Sequence, residues 1–156
     1  MTEQKQQATG IRLIPPLVYI VPLLVGLVLE QILPAVILFG LWRLGPGIVL
    51  IVLSCFLVAP AVLRFRKAAT PFDVRKAATA LVTDGPYRYT RNPGYLALTL
   101  LYLGLGFLFS SVYVIVLVIP TVLVMDAAVV RKEEEHLEAQ FGEEYLKYKA
   151  TVRRWL

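Results

Sequence analysis

Residues 93–130, PGYLALTLLYLGLGFLFSSVYVIVLVIPTVLVMDAAVV, decide the fold. They carry a single charged side chain, Asp126. As one α-helix these 38 residues would extend ~57 Å at ~1.5 Å per residue. That is about twice the ~30 Å hydrocarbon core of a bilayer. The pair Ser110-Ser111 leaves room for a very tight turn, so the stretch reads as two spans, about 93–110 and 112–130, folded into a hairpin. Towards the N-terminus, residues 13–63 hold only Glu30 and Arg43 as charged positions. A soluble core built from 156 residues could not hide both tracts. The chain is 58% hydrophobic with a mean hydropathy of +0.68, against about 45–50% apolar in soluble domains. The expected fold is all-α: a polytopic integral membrane protein with about four transmembrane helices and a C-terminal amphipathic helix.

The upstream spans are expected at about 13–33 and 46–64, separated by the breaker RLGPG at 43–47. The first ends at Pro34 or runs on, tilted, to about Trp42. Four spans place the N-terminal tail, a loop over 65–92 with Arg64 at its edge, and a tail over 131–156 on one side, with 15 of the 16 Lys and Arg residues. Excess basic residues mark the cytoplasmic side. Both termini are therefore expected in the cytoplasm, at a prokaryotic inner membrane. That partition also accounts for the net charge of +5, so no nucleic-acid partner is expected. The polar start MTEQKQQATGIRLIPP lacks the short apolar core and cleavage site of a signal peptide. With one cysteine, Cys55, and one histidine, His136, neither an intramolecular disulfide nor a Cys/His metal site is expected. Residues 1–156 read as one domain without internal repeats.

The chemistry gathers in the two cytoplasmic segments. The loop has 28 residues, where a tether between helices needs only a few. Its TALVT (79–83) is apolar enough for burial, and Tyr87, Tyr89 and Tyr95 are costly to leave exposed. Asn92 and Pro93 have the chemistry of an N-cap and first helical residue. Such a helix start offers free N–H groups to a carboxylate. In the tail, Leu137, Phe141, Tyr145, Tyr148, Val152 and Trp155 recur on one helix face, with a kink expected at Gly142. That face suits a helix lying on the membrane. Glu133-Glu134-Glu135 sits where an anionic leaflet favours positive charge, so its position argues for a cationic partner. An aromatic-lined loop, Arg91 beside a helix N-terminus, and a carboxylate cluster suit a zwitterionic ligand with an aromatic base. S-adenosylmethionine fits that description, as do several nucleotides.

The segments ALVTDGPYRYTRNPGY (80–95) and EEEHLEAQFGEEYLKY (133–148), with an apolar hairpin between them, resemble the isoprenylcysteine carboxyl methyltransferase and phospholipid methyltransferase family. The resemblance covers about residues 68–156. It implies an S-adenosylmethionine-dependent methyltransferase whose cofactor binds from the cytosol among loop and helix ends. The acceptor, the carboxylate of an isoprenylcysteine-like compound or a lipid, would enter from the bilayer. By resemblance, Thr79, Ala80, Leu81 and Val82 line the cofactor pocket and Tyr87 contacts the cofactor. Asn92, Pro93, Gly94 and Tyr95 match the family's HPxY element, and Glu133, Glu134 and Leu137 match its EExxL element. Arg91, Asp126 and Arg131 are candidates on the acceptor side; for Asp126, burial against Arg91 or another cation is the alternative. Tyr89 is expected to be structural. Asn92 stands where eukaryotic members carry His. Asn still donates and accepts hydrogen bonds but cannot act as a base near neutral pH, which is harmless if the acceptor is an ionised carboxylate. No metal is required.

Two other readings compete. A reductase-like membrane enzyme would use a nicotinamide cofactor, but no phosphate-cradling glycine loop is present. A small four-helix transporter or scaffold draws its support from Glu30, because an ionisable residue inside a span is a functional candidate.

Overall fold

The computed structural model describes residues 14–35, 40–71 and 78–156. Leu13 at the start of the first expected span, the N-terminal tail with Lys5 and Arg12, and the loop residues Arg75 and Lys76 lie outside the described residues. Helix α1 covers Pro15–Ile32 and α2 covers Leu44–Lys67, the latter led in by a 3-10 turn at Gly40–Arg43. Helix α3 covers Pro93–Leu108 and α4 covers Val112–Met125. A π-helical turn, Asp126–Val130, joins α4 to α5, Arg131–Phe141, and α6 covers Glu143–Thr151. Among the described residues there is no strand. The stretches Pro15–Ile32, Gly40–Lys67 and Val112–Phe141 are long and apolar enough to cross a membrane, and α3 is a shorter apolar helix of 16 residues. The chain is an integral membrane protein.

The serine hairpin forms as expected. Ser110 takes a φ of +56°, and the Ser111 amide donates to the Gly106 carbonyl at 3.0 Å. The Ser111 hydroxyl accepts from the Val114 amide and donates to the Gly26 carbonyl, both at 3.3 Å. Beside it, Glu30 accepts from the backbone amides of Val112 (3.2 Å) and Ala35 (2.9 Å). Val112 opens α4, where free N–H groups and the helix dipole favour a carboxylate. Glu30 thus ties α1 to the hairpin, which removes the main support for the transport reading.

Helix α2 packs on α3 and α1 on α4. The α2 face buried there carries Gly47, Ser54 and Ala61, seven residues apart. A Cβ on Gly104 of α3 would sit 2.7 Å from Ile51 and 3.0 Å from the Gly47 carbonyl oxygen. Ser54 donates to the Ala97 carbonyl at 2.7 Å. Inside a bilayer, close contact between small residues and interhelical hydrogen bonds takes the place of the hydrophobic drive.

Two expected boundaries move. RLGPG does not break the chain: α2 starts at Leu44, with Pro46 in its first turn, where a missing N–H leaves no bond unmade. The same helix continues past residue 64 to Lys67, and Arg64, Arg66 and Lys67 in its last turn suit the negative end of the dipole. Helix α1 stops at Ile32, the earlier of its two expected ends.

Candidate active site

The polar ends of the helices close around a cavity of about 460 Å³. One wall is the segment before the Gly85–Arg88 3-10 turn. There Thr79 is pinned to the end of α2: its amide donates to the Thr70 hydroxyl (2.9 Å) and its hydroxyl to the Ala69 carbonyl (3.0 Å). Arg64 pairs with Asp84 at the other end of the segment. Ala80, Leu81 and Val82 therefore line the cavity, whereas Thr79 does not. Tyr87 also lines it, packed against Phe65 with ring centroids 5.5 Å apart. Tyr89, 77% exposed, lies outside it.

The second wall is the start of α3, with Asn92, Pro93, Gly94 and Tyr95 at the cavity. Pro93 takes the first helical position as expected, but Asn92 makes no side-chain cap. Its Nδ2 instead donates to the Arg154 carbonyl at 3.0 Å. The Thr90 hydroxyl donates to the same carbonyl at 3.1 Å, and the Arg91 amide to the Arg153 carbonyl at 3.0 Å. The C-terminal segment thus draws Asn92 away from the helix start and leaves α3 without a side-chain cap.

The third wall is α5 and α6, where Gly142 turns the chain with a φ of +54°. Both expected glutamates reach the cavity, but they differ. Glu134 accepts from Arg91 (2.8 Å) and from Arg154 through two nitrogens (2.8 and 3.1 Å). The Arg91 and Glu134 side chains are only 9% and 6% exposed. Glu133 accepts one hydrogen bond, from the Tyr95 hydroxyl at 2.8 Å, and has no cation partner among the described residues. Loss of water around it pushes its pKa up to about 7; the Tyr95 bond opposes that rise and the Glu134 charge adds to it.

The acceptor-side candidates separate. Arg91 lines the cavity, and its Nε has no hydrogen-bond partner among the described residues. Asp126 and Arg131 do not line it. Asp126 pairs with Arg131 (3.0 Å) and Arg154 (3.4 Å) and accepts from the Trp155 indole (3.2 Å), while Arg131 is 61% exposed. The five-residue π-helical turn between Asp126 and α5 removes the simple helical register that would align Asp126 with Glu133.

Sequence reasoning did not place Tyr145, Tyr148 and His136 at the cavity, yet all three line it. Tyr148 donates to the Tyr87 carbonyl at 2.7 Å and meets Tyr145 edge to face, 6.1 Å between centroids. By spacing both belong to the tail's apolar face; the usable signal is their hydroxyls on a face otherwise suited to lipid. Burial pushes the phenols of Tyr87, Tyr145 and Tyr148 up, so they are neutral hydrogen-bond donors at physiological pH. The His136 Nε2 has no hydrogen-bond partner among the described residues.

The sequence profile of the phospholipid methyltransferase family matches residues 42–144. The chain belongs to that family. The phospholipid methyltransferase match takes in α2 through α5 and stops before Tyr145, so α1, Tyr145, Tyr148 and Arg154 lie beyond it. Another protein, described as uncharacterized, from Haemophilus influenzae is 49% identical over 39 residues, which make up 25% of this chain and 62% of that protein. The present chain therefore spans under two thirds of that relative's length. No solved structure matches the chain.

Proposed function

We propose that this chain transfers a methyl group from S-adenosylmethionine to a lipophilic acceptor, the carboxylate of an isoprenylcysteine-like compound or a lipid. The reaction would take place at the cytoplasmic face of a prokaryotic inner membrane, with both termini inside. The observation that carries the reading is Glu133, a cavity-wall carboxylate held by one tyrosine and left without a cation partner among the described residues. Tyr87, Tyr95, Tyr145 and Tyr148 surround the same cavity. A carboxylate among aromatic faces is a site for a cation, and the rings add about 0.5–2 kcal/mol. Arg91, which lines the same cavity, supplies a positive charge for the carboxylate of the same zwitterion. A volume of about 460 Å³ lies in the ordinary range for small-molecule sites.

The bound donor supplies a methyl activated by a sulfonium charge. Glu133 and the tyrosines hold that cationic end, and the apolar residues Ala80, Leu81 and Val82 keep water from the reacting atoms. Holding nucleophile and methyl in line can lower the barrier by about 7–11 kcal/mol. No proton acceptor is needed for an ionised carboxylate, consistent with Asn92 being engaged by the Arg154 carbonyl. An acceptor arriving from the bilayer is supported by a second, apolar cavity of about 530 Å³ between α1 and α4, which shares Ile14 with the first.

Titration of the purified protein in lipid nanodiscs with S-adenosylmethionine tests the proposal. Binding to the wild type is expected, together with transfer of labelled methyl into a membrane lipid extract. Absence of binding to the folded wild type would overturn the reading.

A further inference from the structure

The last residues of the chain lie beyond the family match, yet they do much of the holding at the cavity. Lys149, Arg153 and Arg154 offer their carbonyls to the Arg91 guanidinium, the Arg91 amide and the side chains of Thr90 and Asn92. The Arg154 side chain then reaches the opposite wall. It grips Glu134 with two nitrogens, at 2.8 and 3.1 Å, and bridges to Asp126 at 3.4 Å. Trp155 fixes the end of this strap by donating to Asp126 at 3.2 Å. Arg154 itself is not among the residues lining the cavity.

Building on the proposed donor site, we infer that Arg154 is a positioning residue: by neutralising Glu134 from behind, it leaves Arg91 in place and keeps Glu133 available as an anion for the donor's cationic end. The physical argument is charge balance in a small volume. Glu133 and Glu134 are adjacent on α5, and Glu134 is almost entirely out of solvent. Arg91 bonds Glu134 through Oε1 only, while Oε2 is bonded by Arg154. Without Arg154, a buried carboxylate oxygen loses its partner. The negative charge of Glu134 is then less compensated, and Glu133 resists ionising beside it. The other groups around Glu133 are Tyr87 before α3, Tyr95 on α3, Tyr145 and Tyr148 on α6, Arg91, and His136 on its own helix. The tyrosines stay neutral in the working range, and Arg91 and Arg154 are the cations paired with Glu134 among the described residues.

The test measures binding of sinefungin, a stable S-adenosylmethionine analogue with an amine in place of the sulfonium, between pH 5.5 and 8.5. It compares wild type, Arg154→Gln and Arg154→Lys in nanodiscs. At pH 7, Arg154→Gln is expected to bind about three- to thirtyfold more weakly, the range for network residues that touch no ligand. Its pH midpoint should move upward so that the deficit narrows by pH 8.5, and Arg154→Lys should restore most of the affinity at pH 7. A deficit of equal size at every pH, or unchanged binding in Arg154→Gln, would overturn the inference. If Arg154→Gln fails to fold, Arg154→Lys decides alone: an upward midpoint shift smaller than one unit supports the inference, and an unshifted profile overturns it. If the wild type binds no sinefungin, the donor-site reading fails instead.

Discussion

Glu30 and Glu133 sit at opposite ends of the helical bundle, and the fold treats them differently. Glu30 meets the free amide of Val112 at a helix start and the amide of Ala35, so the chain supplies its partners. Glu133 meets one tyrosine and a cavity. In sequence both are carboxylates in or beside an apolar tract. What separates a structural carboxylate from a binding one here is whether the chain provides the compensating groups itself. Glu134, next to Glu133 and bonded by two arginines, falls on the structural side of that line.

The largest expected effect comes from breaking the structural side. Glu134→Leu leaves Arg91 and Arg154 without their shared partner, and removing one member of a buried ion pair costs about 3–5 kcal/mol. A large drop in thermal midpoint in detergent is expected, with no comparable drop for Glu133→Gln. Equal loss of stability in the two variants would erase the distinction.

Next comes the binding side. Glu133→Gln is expected to weaken S-adenosylmethionine binding by about 2–5 kcal/mol, the cost of removing one partner of a desolvated charge pair. Glu133 is neutral below its raised midpoint of about 7 and ionised above it. Wild-type affinity should therefore rise as pH rises through 7, and calorimetry of Glu133→Gln should show that dependence flattened.

A smaller effect tests the other end. Glu30→Gln weakens the tie to the start of α4 and should cost about 0.5–2 kcal/mol of stability, the range for losing a helix cap. Donor affinity should stay unchanged; a large loss of affinity would reinstate a functional role for Glu30. The smallest effect is the contrast between two tyrosines. Tyr87→Leu should weaken donor binding by about 0.5–2 kcal/mol, whereas the exposed Tyr89→Leu should leave it unaltered. The reverse order would mean that the matched motif is out of register.

Much of this was legible in the sequence because local chemistry fixed it. Ser110-Ser111 could only be a turn between two apolar runs, and Gly142 offered the positive φ that ends α5. The ends of α2 were less legible: proline at Pro46 can break a helix or begin one, and sequence alone does not choose. Glu133 and Glu134 were indistinguishable because their difference depends on Arg154, 20 residues away along the chain. Asn92 has the local chemistry of a cap, and no rule of local structure places the Arg154 carbonyl beside it. The cavity role of Tyr145 and Tyr148 was hidden for a similar reason. A face that can lie on lipid can equally close a pocket, and only the Tyr148–Tyr87 contact shows which.

The π-helical turn at Asp126–Val130 acts as a phase shifter between the apolar α4 and the charged α5 of one continuous helix. It holds one residue more than an α-helical turn would, and one α-helical residue is worth ~100° of rotation. The azimuth of the glutamate pair is thus indexed by a backbone irregularity rather than by the side chains near it. Winding the same five residues as regular α-helix would swing both carboxylates about a quarter-turn around the axis, whereas excising one of them would leave their azimuth nearly unchanged. With the residues kept and rewound, the whole cavity-lining face would be misaimed while every one of its own residues remained intact.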